Sequence, residues 1–251
     1  VNVIGPAVVG AENSLAVDVG PYDRGRIKTH LSSDNLAMAL TLSHDGGYRD
    51  DASADQQKLS LRYQQEYSEF KLNSGFTATN LNQNTAGYVN GEDAYKDDDL
   101  VRENAYPDAY RDAWSARAWT RFEDNQGETN WVVTPYMRVS DMTFLQHFLP
   151  GTPLEKNGQH SLGIQSAFYQ FGDNYELISG LDVEYADSFL EQTQAQDASG
   201  GTRPAGTNYD YDVTSLQISP FVRAEYKATE KLAFIAGLRY ENMAYDYDNK
   251  T

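Results

Sequence analysis

The chain has 251 residues and a formal charge of -17, with 37 acidic side chains against 20 lysines and arginines, and its mean hydropathy of -0.64 is polar for a length that can bury a sizeable core. That charge excludes a protein that follows nucleic-acid phosphates, which needs a net basic face, and no apolar run reaches the roughly 18 residues of a transmembrane helix. There are no cysteines, so neither disulfides nor thiolate metal sites form. The 18 tyrosines are the unusual part of the composition, and tyrosine suits strands and water interfaces, where one end of the ring is apolar and the other wet.

Taken in order, the chain opens on VNVIGPAVVGAENS, which carries no basic and apolar signal-peptide regions. A two-residue alternation then sets in. Leu36, Met38, Leu40 and Leu42 share one face, with Ala37, Ala39, Thr41 and Ser43 on the other. Leu59, Leu61 and Tyr63 oppose Ser60, Arg62 and Gln64, and Phe70, Leu72 and Phe76 oppose Lys71, Asn73, Gly75 and Thr77. Further on, Leu177, Leu181, Val183 and Tyr185 oppose Gly180, Asp182 and Glu184, while Leu216, Ile218, Val222 and Tyr226 oppose Gln217, Ser219, Arg223 and Glu225. The last run sets Leu232, Phe234, Ala236, Leu238 and Tyr240 against Gly237, Arg239 and Glu241. One face is apolar and the other charged.

This predicts about eleven strands, many of them about 10 residues long, the length that crosses a bilayer at the usual tilt. Short turns are expected near residues 33–35, 66–68, 124–129, 172–174 and 228–231, and long links at 44–57, 80–112, 141–158 and 188–213; only the link near 20–23 is short on the long side. A meander in which every second loop is long puts the long loops at one end. The expected fold is therefore all-β, an antiparallel up-and-down transmembrane β-barrel, rather than a soluble sandwich, whose strands run to about 5 or 6 residues. Tyr63, Phe70, Phe122, Trp131, Phe171, Tyr175 and Tyr226 lie near the short turns, as an interfacial girdle would. Charges on the polar face, Arg62, Arg117, Arg121, Arg138, Asp182, Glu184, Arg223, Glu225, Arg239 and Glu241, are expected to pair across strands in a wet lumen. The end, NMAYDYDNKT, reads as the start of another long loop, and with an odd strand count the barrel reads as partial.

The longest link, residues 80–112, carries eight carboxylates among its tyrosines. Loops beyond about 12 to 15 residues are usually functional or disordered. Tyr88, Tyr95, Arg102, Tyr106, Tyr110 and Arg111 are the candidate ligand-binding residues. Tyrosine offers stacking area and a hydroxyl, and the planar arginine fork takes carboxylate, catecholate or hydroxamate oxygens. The alternative is that they pack the loop on itself, with Tyr106-Pro107 as turn structure. Glu92, Asp93, Asp97, Asp98 and Asp99 either hold calcium or form a solvated acidic surface that meets lipopolysaccharide through divalent ions. Phe144, Leu145, Phe148 and Leu149 either touch an apolar ligand or anchor their loop. His30, His44, His147 and His160 are scattered, with no HExxH motif, nucleophile elbow or phosphate-binding loop, so no enzyme, cofactor or resident metal is predicted.

QNTAGYVNGEDAYKD from Gln83, NAYPDAYRDAWSAR from Asn104 and TPYMRVSDMTFLQHFLPGTPLEKNGQHSLGIQSAFY from Thr134 resemble, in order and spacing, the first half of the barrel of TonB-dependent outer-membrane receptors of the ferric-siderophore type. The resemblance covers most of residues 20–249 and is most specific at 141–161. It implies a bacterial outer-membrane location, a complete barrel of 22 strands of which about 11 are here, and a plug domain with a TonB box preceding it. Residues 1–12, in which Ile4-Gly5-Pro6 and Gly10-Ala11 faintly match a plug end, would be the remnant of the plug-to-barrel connection, and residues 13–251 the N-terminal half of the barrel. The implied function is energy-coupled uptake of a scarce ligand, foremost a ferric siderophore, with the TonB complex, outer-membrane lipid and lipopolysaccharide as partners and no nucleic acid. A fragment lacking the plug and the second half is not expected to transport alone. The alternatives are cobalamin, haem or a glycan as cargo, a passive porin or surface-binding barrel, and a soluble acidic binding module.

Overall fold

The computed structural model describes residues 13–124, 129–146, 151–198 and 203–251. It is built of β1 (Ser14–Gly20), β2 (Arg24–Ser32), β3 (Leu36–Asp45), β4 (Ala54–Glu66), β5 (Phe70–Asn84), β6 (Tyr110–Asp124), β7 (Thr129–Leu145), β8 (Leu154–Phe171), β9 (Tyr175–Gln194), β10 (Gly206–Thr229), β11 (Leu232–Arg239) and β12 (Asn242–Asn249). Each strand from β1 to β11 pairs with its chain neighbour in one antiparallel sheet, and β12 pairs with β10. The predicted up-and-down meander is present. It is open, with β1 at one edge.

β11 and β12 are two halves of one strand row. Phe221 faces Arg239 and Ile218 faces Asn242, so the register against β10 runs on through the break. The break lies opposite Pro220, which accepts a hydrogen bond from the Tyr240 amide at 3.0 Å but has no N–H to return. The row count is thus eleven, as expected, although residues 242–249 are strand and not the start of a loop. Tyr245 and Tyr247 alternate with Asp246 and Asp248; neither face is aliphatic, so the alternation does not read as a half-buried strand.

The same cause shortens the other long links. β5 runs to Asn84 and β6 starts at Tyr110, β7 runs to Leu145 and β8 starts at Leu154, and β9 runs to Gln194 while β10 starts at Gly206. The connections proper are residues 46–53, 85–109, 146–153 and 195–205. The ends of β5 and β10 that were expected to be loop are largely polar, and those of β7 and β9 carry Met142, Phe144, Phe189 and Leu190 without a continuous apolar face.

Register fixes where the apolar face stops. Met137, Leu162, Tyr185, Leu216 and Ala244 form one row across β7 to β12. The next row on that face, toward the long connections, is Val139, His160, Asp187, Thr214 and Asp246. Charge begins there, and continues with Glu191, Asp210, Asp212 and Asp248. At the short-turn end the apolar face closes on Tyr175, Tyr226 and Phe234. From Tyr175 to Tyr185 is the stretch of about 9 to 11 residues that a tilted strand needs to cross a bilayer, and both tyrosines are half exposed. β9 then continues to Gln194, nearly as far again.

Of the expected aromatic girdle, Tyr63, Phe70, Phe122, Trp131, Tyr175 and Tyr226 lie on the apolar face. Phe70 meets Tyr67 at 4.9 Å and Phe122 at 6.1 Å between ring centroids. Phe171 is the exception: it pairs with Glu176 and so falls on the polar face.

Candidate ligand-binding site

The polar face is built by one device used repeatedly. An aromatic ring lies flat over a glycine on the neighbouring strand and meets a charged side chain beyond it. Trp119 covers Gly75, where an added Cβ would stand 2.5 Å from its Cε2, and Arg62, paired with Gly75 from the other side, stacks on the indole at 4.9 Å. Tyr136 covers Gly163 and donates its hydroxyl to Glu184, the cross-strand partner of Gly163, at 2.5 Å. Phe221 covers Gly180, and Arg239 sits 5.8 Å over its ring. Glycine is required because any Cβ would displace the ring.

Small residues on the strand between also let ion pairs span two strands. Arg138 of β7 reaches Glu184 of β9 over Ser161, to whose Oγ its Nε donates at 3.1 Å. Arg239 of β11 reaches Asp182 of β9 at 2.8 Å across β10, where Ser219 is fully buried, and also binds Glu241 at 2.8 Å. Arg223 pairs with Glu176 at 3.2 Å and Glu225 at 2.9 Å, and Arg121 with Glu123 at 3.1 Å. Eight of the ten inner charges expected to pair do so in these contacts, while Arg62 and Arg117 lie instead against the rings of Trp119 and Tyr136.

Beyond the row where the opposite face turns acidic, the inner face changes character. β10 presents Tyr209 and Tyr211 and the β12 half-strand presents Tyr245 and Tyr247. The Tyr211 and Tyr247 rings meet at 5.2 Å, while Tyr209, Tyr245 and Tyr247 remain about half exposed or more. Beside this wall, Glu155 accepts from Gln146 at 2.8 Å, Asn157 at 2.9 Å and Gln192 at 3.1 Å, and Asn208 reaches Gln192 at 3.4 Å. The result is a surface of phenols and carboxamides. Sequence reading missed the wall because the β12 half was taken for a loop and β10 for a strand beginning after Val213.

The six candidate residues of the 80–112 stretch are spread out. Tyr88 and Tyr95 are 68% and 72% exposed, with Lys96 over the Tyr95 ring at 5.4 Å. Arg102 stacks on Tyr48 at 5.8 Å. Tyr106 takes part in a turn, its amide donating to Asn104 Oδ1 at 2.9 Å and its carbonyl accepting from Ala109 at 3.1 Å. Tyr110 and Arg111 are adjacent in β6 and so point to opposite faces; Arg111, on the inner face, donates to Gln83 at 2.7 Å. The acidic run is used locally: Asp97 Oδ1 accepts from the Asp99 and Leu100 amides at 3.0 and 3.1 Å, and Asp93 pairs with Lys96 at 3.0 Å. Among the described residues no group of three or more metal-binding side chains assembles. Phe144 and Leu145 end β7; His147, Phe148 and Leu149 lie outside the described residues.

What holds the loop is a residue from another connection. Arg49 donates from Nε to the Glu103 carbonyl at 3.0 Å, and from its terminal nitrogens to the carbonyls of Glu103 and Gly87. Asp50 N–H adds a bond to the Arg102 carbonyl at 2.9 Å, and Asn104 reaches the Asp51 carbonyl at 3.1 Å. The two ends of residues 87–103 are thereby stapled, and Tyr88 and Tyr95 stand out between them.

An apolar belt of bilayer height, a charged inner face and long connections at one end define the wall of an outer-membrane β-barrel. Residues 21–251 match the family described as TonB dependent receptor-like, beta-barrel, and the chain belongs to that family, whose barrels reside in the bacterial outer membrane. Among solved structures it is similar to the ferric citrate transporter FecA in its unliganded form, with a TM-score of 0.70 and 12% identity over 95% of this chain and 38% of that one. It is similar to the ferric yersiniabactin uptake receptor FyuA from Yersinia pestis, with a TM-score of 0.66 and 13% identity over 95% of this chain and 42% of that one. It is also similar to the ferripyoverdine receptor of the outer membrane of Pseudomonas aeruginosa bound to ferripyoverdine, with a TM-score of 0.65 and 10% identity over 94% of this chain and 37% of that one. At these identities the likeness is one of fold, and the chain spans less than half the length of each. No curated protein matches the chain in sequence.

Proposed function

We propose that this chain is the N-terminal half of the barrel of a receptor that imports a ferric siderophore by TonB-dependent, energy-coupled uptake. On this reading residues 13–251 are barrel and residues 1–12 the end of the connection from a plug domain, through which the TonB complex would act. The observation that carries the reading is the phenol- and amide-lined inner face that rises beyond the apolar belt, on the side of the long connections, in a barrel of this family. Cargo is bound there without covalent chemistry. Tyr88, Tyr95, Arg102, Tyr106 and Arg111 form the loop side of the same mouth, with Tyr88 and Tyr95 the most exposed of its tyrosines, while Tyr110 faces outward from β6. The outer surface meets lipid along the apolar belt and lipopolysaccharide above it.

The test is uptake of radiolabelled ferric chelates by iron-starved cells that carry the full-length protein as their sole receptor. Uptake that saturates and stops when TonB is deleted supports the reading. Uptake that is unaffected by loss of TonB makes the protein a passive channel and overturns it.

A further inference from the structure

We propose that the tyrosine wall of β10 and β12 takes a ferric chelate of no net charge, and that the mouth disfavours triply negative ones; the inference rests on the iron-chelate reading above. Three hydroxamates neutralise iron(III), whereas three doubly charged catecholates leave three negative charges on the complex. The mouth is built for the first kind. Among the described residues, the inner face of β8 to β12 beyond Arg138 and Glu184 holds no cation, and its one charge is Glu155, a carboxylate. Around it the field is negative: residues 85–109 carry seven carboxylates against Lys96 and Arg102, and Asp187, Glu191, Asp210, Asp212, Asp246 and Asp248 lie on the opposite side of the same sheet against Lys156 and Lys250. A wall one strand thick is no wider than the Debye length of about 8 Å at physiological salt, so both sets act on an approaching anion.

Among the described residues, no arginine on the inner face of β7 to β11 is spare; outside it lie Arg111 of β6, which donates to Gln83 at 2.7 Å, and Arg203 in the connection before β10. Arg138, Arg223 and Arg239 are each held by one or two carboxylates, and binding an anionic chelate would mean abandoning them. A neutral chelate needs none of this. It stacks on Tyr209, Tyr211, Tyr245 and Tyr247, and its oxygens take hydrogen bonds from phenol hydroxyls and from the carboxamides of Gln192, Asn208 and Asn249.

The experiment measures binding and uptake by the full-length receptor, with ferrichrome as the neutral trihydroxamate probe and ferric enterobactin as the triply negative tris-catecholate. Ferrichrome is expected to bind at least about tenfold more tightly, and the gap to narrow as salt rises. Tyr211→Ala combined with Tyr247→Ala is expected to weaken ferrichrome binding about tenfold, the loss of two stacking contacts. Surface labelling of the variant on intact cells verifies that it folds and inserts. Equal or tighter binding of the tris-catecholate overturns the charge preference, and unchanged ferrichrome binding in the inserted double variant overturns the wall; both leave the receptor reading standing. Binding of neither chelate, with the wild-type receptor inserted, overturns the iron-chelate reading and this inference with it.

Discussion

Trp119, Tyr136 and Phe221 show how a wide lumen wall is packed without a core. Each ring gains its contact area by lying along the sheet over a glycine, and each then fixes a charge on its far side. Gly75→Val is therefore expected to cost the full-length barrel about 1 to 3 kcal/mol, the usual range for overpacking, read as a lower unfolding midpoint in denaturant. Tyr136→Phe keeps the ring and deletes only the bond to Glu184. Its expected cost is about 1.5 kcal/mol, the low end for a bond to a charged acceptor, because Arg138 and water share that carboxylate. The two faces of one strand differ more sharply still. Ile164→Arg puts a guanidinium on the apolar belt, at an expected cost of about 2 to 4 kcal/mol, whereas Gln165→Arg faces the wet side opposite Asp182 and is expected to be close to neutral. A Gln165→Arg variant as unstable as Ile164→Arg would show that the faces are assigned the wrong way round.

At the scale of elements, the strands overrun the membrane and the loops are held by side chains from their neighbours. Arg49 is the clearest case, since its one guanidinium satisfies carbonyls at both ends of residues 87–103. Arg49→Ala is expected to leave the barrel inserted but to make this loop at least about tenfold more sensitive to protease added to intact cells, as local opening falls to near zero free energy. Unchanged cleavage would mean that the Asp50 and Asn104 bonds suffice. Little of this was legible in sequence: the alternation at residues 80–84 and 242–249 exists, but with polar side chains on both faces it lacks the contrast that marks a strand. A strand above a membrane has water on both sides, so its sequence resembles a loop. Within the belt the contrast is full, and there the expected strands, their faces and the short turns within the described residues match the structure.

The whole molecule is one sheet whose short turns and long connections lie at opposite ends. The absence of cysteine makes the topology easy to read chemically. Tyr95→Cys in the full-length receptor is expected to react with a membrane-impermeant maleimide on intact cells, and Asp34→Cys or Asp173→Cys, in the opposite turns, only after the outer membrane is permeabilised. Labelling of both sides in intact cells would refute the orientation. Taken as this chain alone, the sheet has a free edge along β1, and unpaired backbone groups at such an edge are costly in lipid.

By itself the sequence determined the class of fold, the apolar belt, the two faces of each strand and the end at which the long connections gather, because those follow from a period of two and from the spacing of turns. Tertiary structure decided how far the strands rise beyond the belt, that residues 232–249 are one strand row broken opposite Pro220, and that Tyr209, Tyr211, Tyr245 and Tyr247 share a wall. Those features depend on register between strands, and register is set by partners that no local pattern contains.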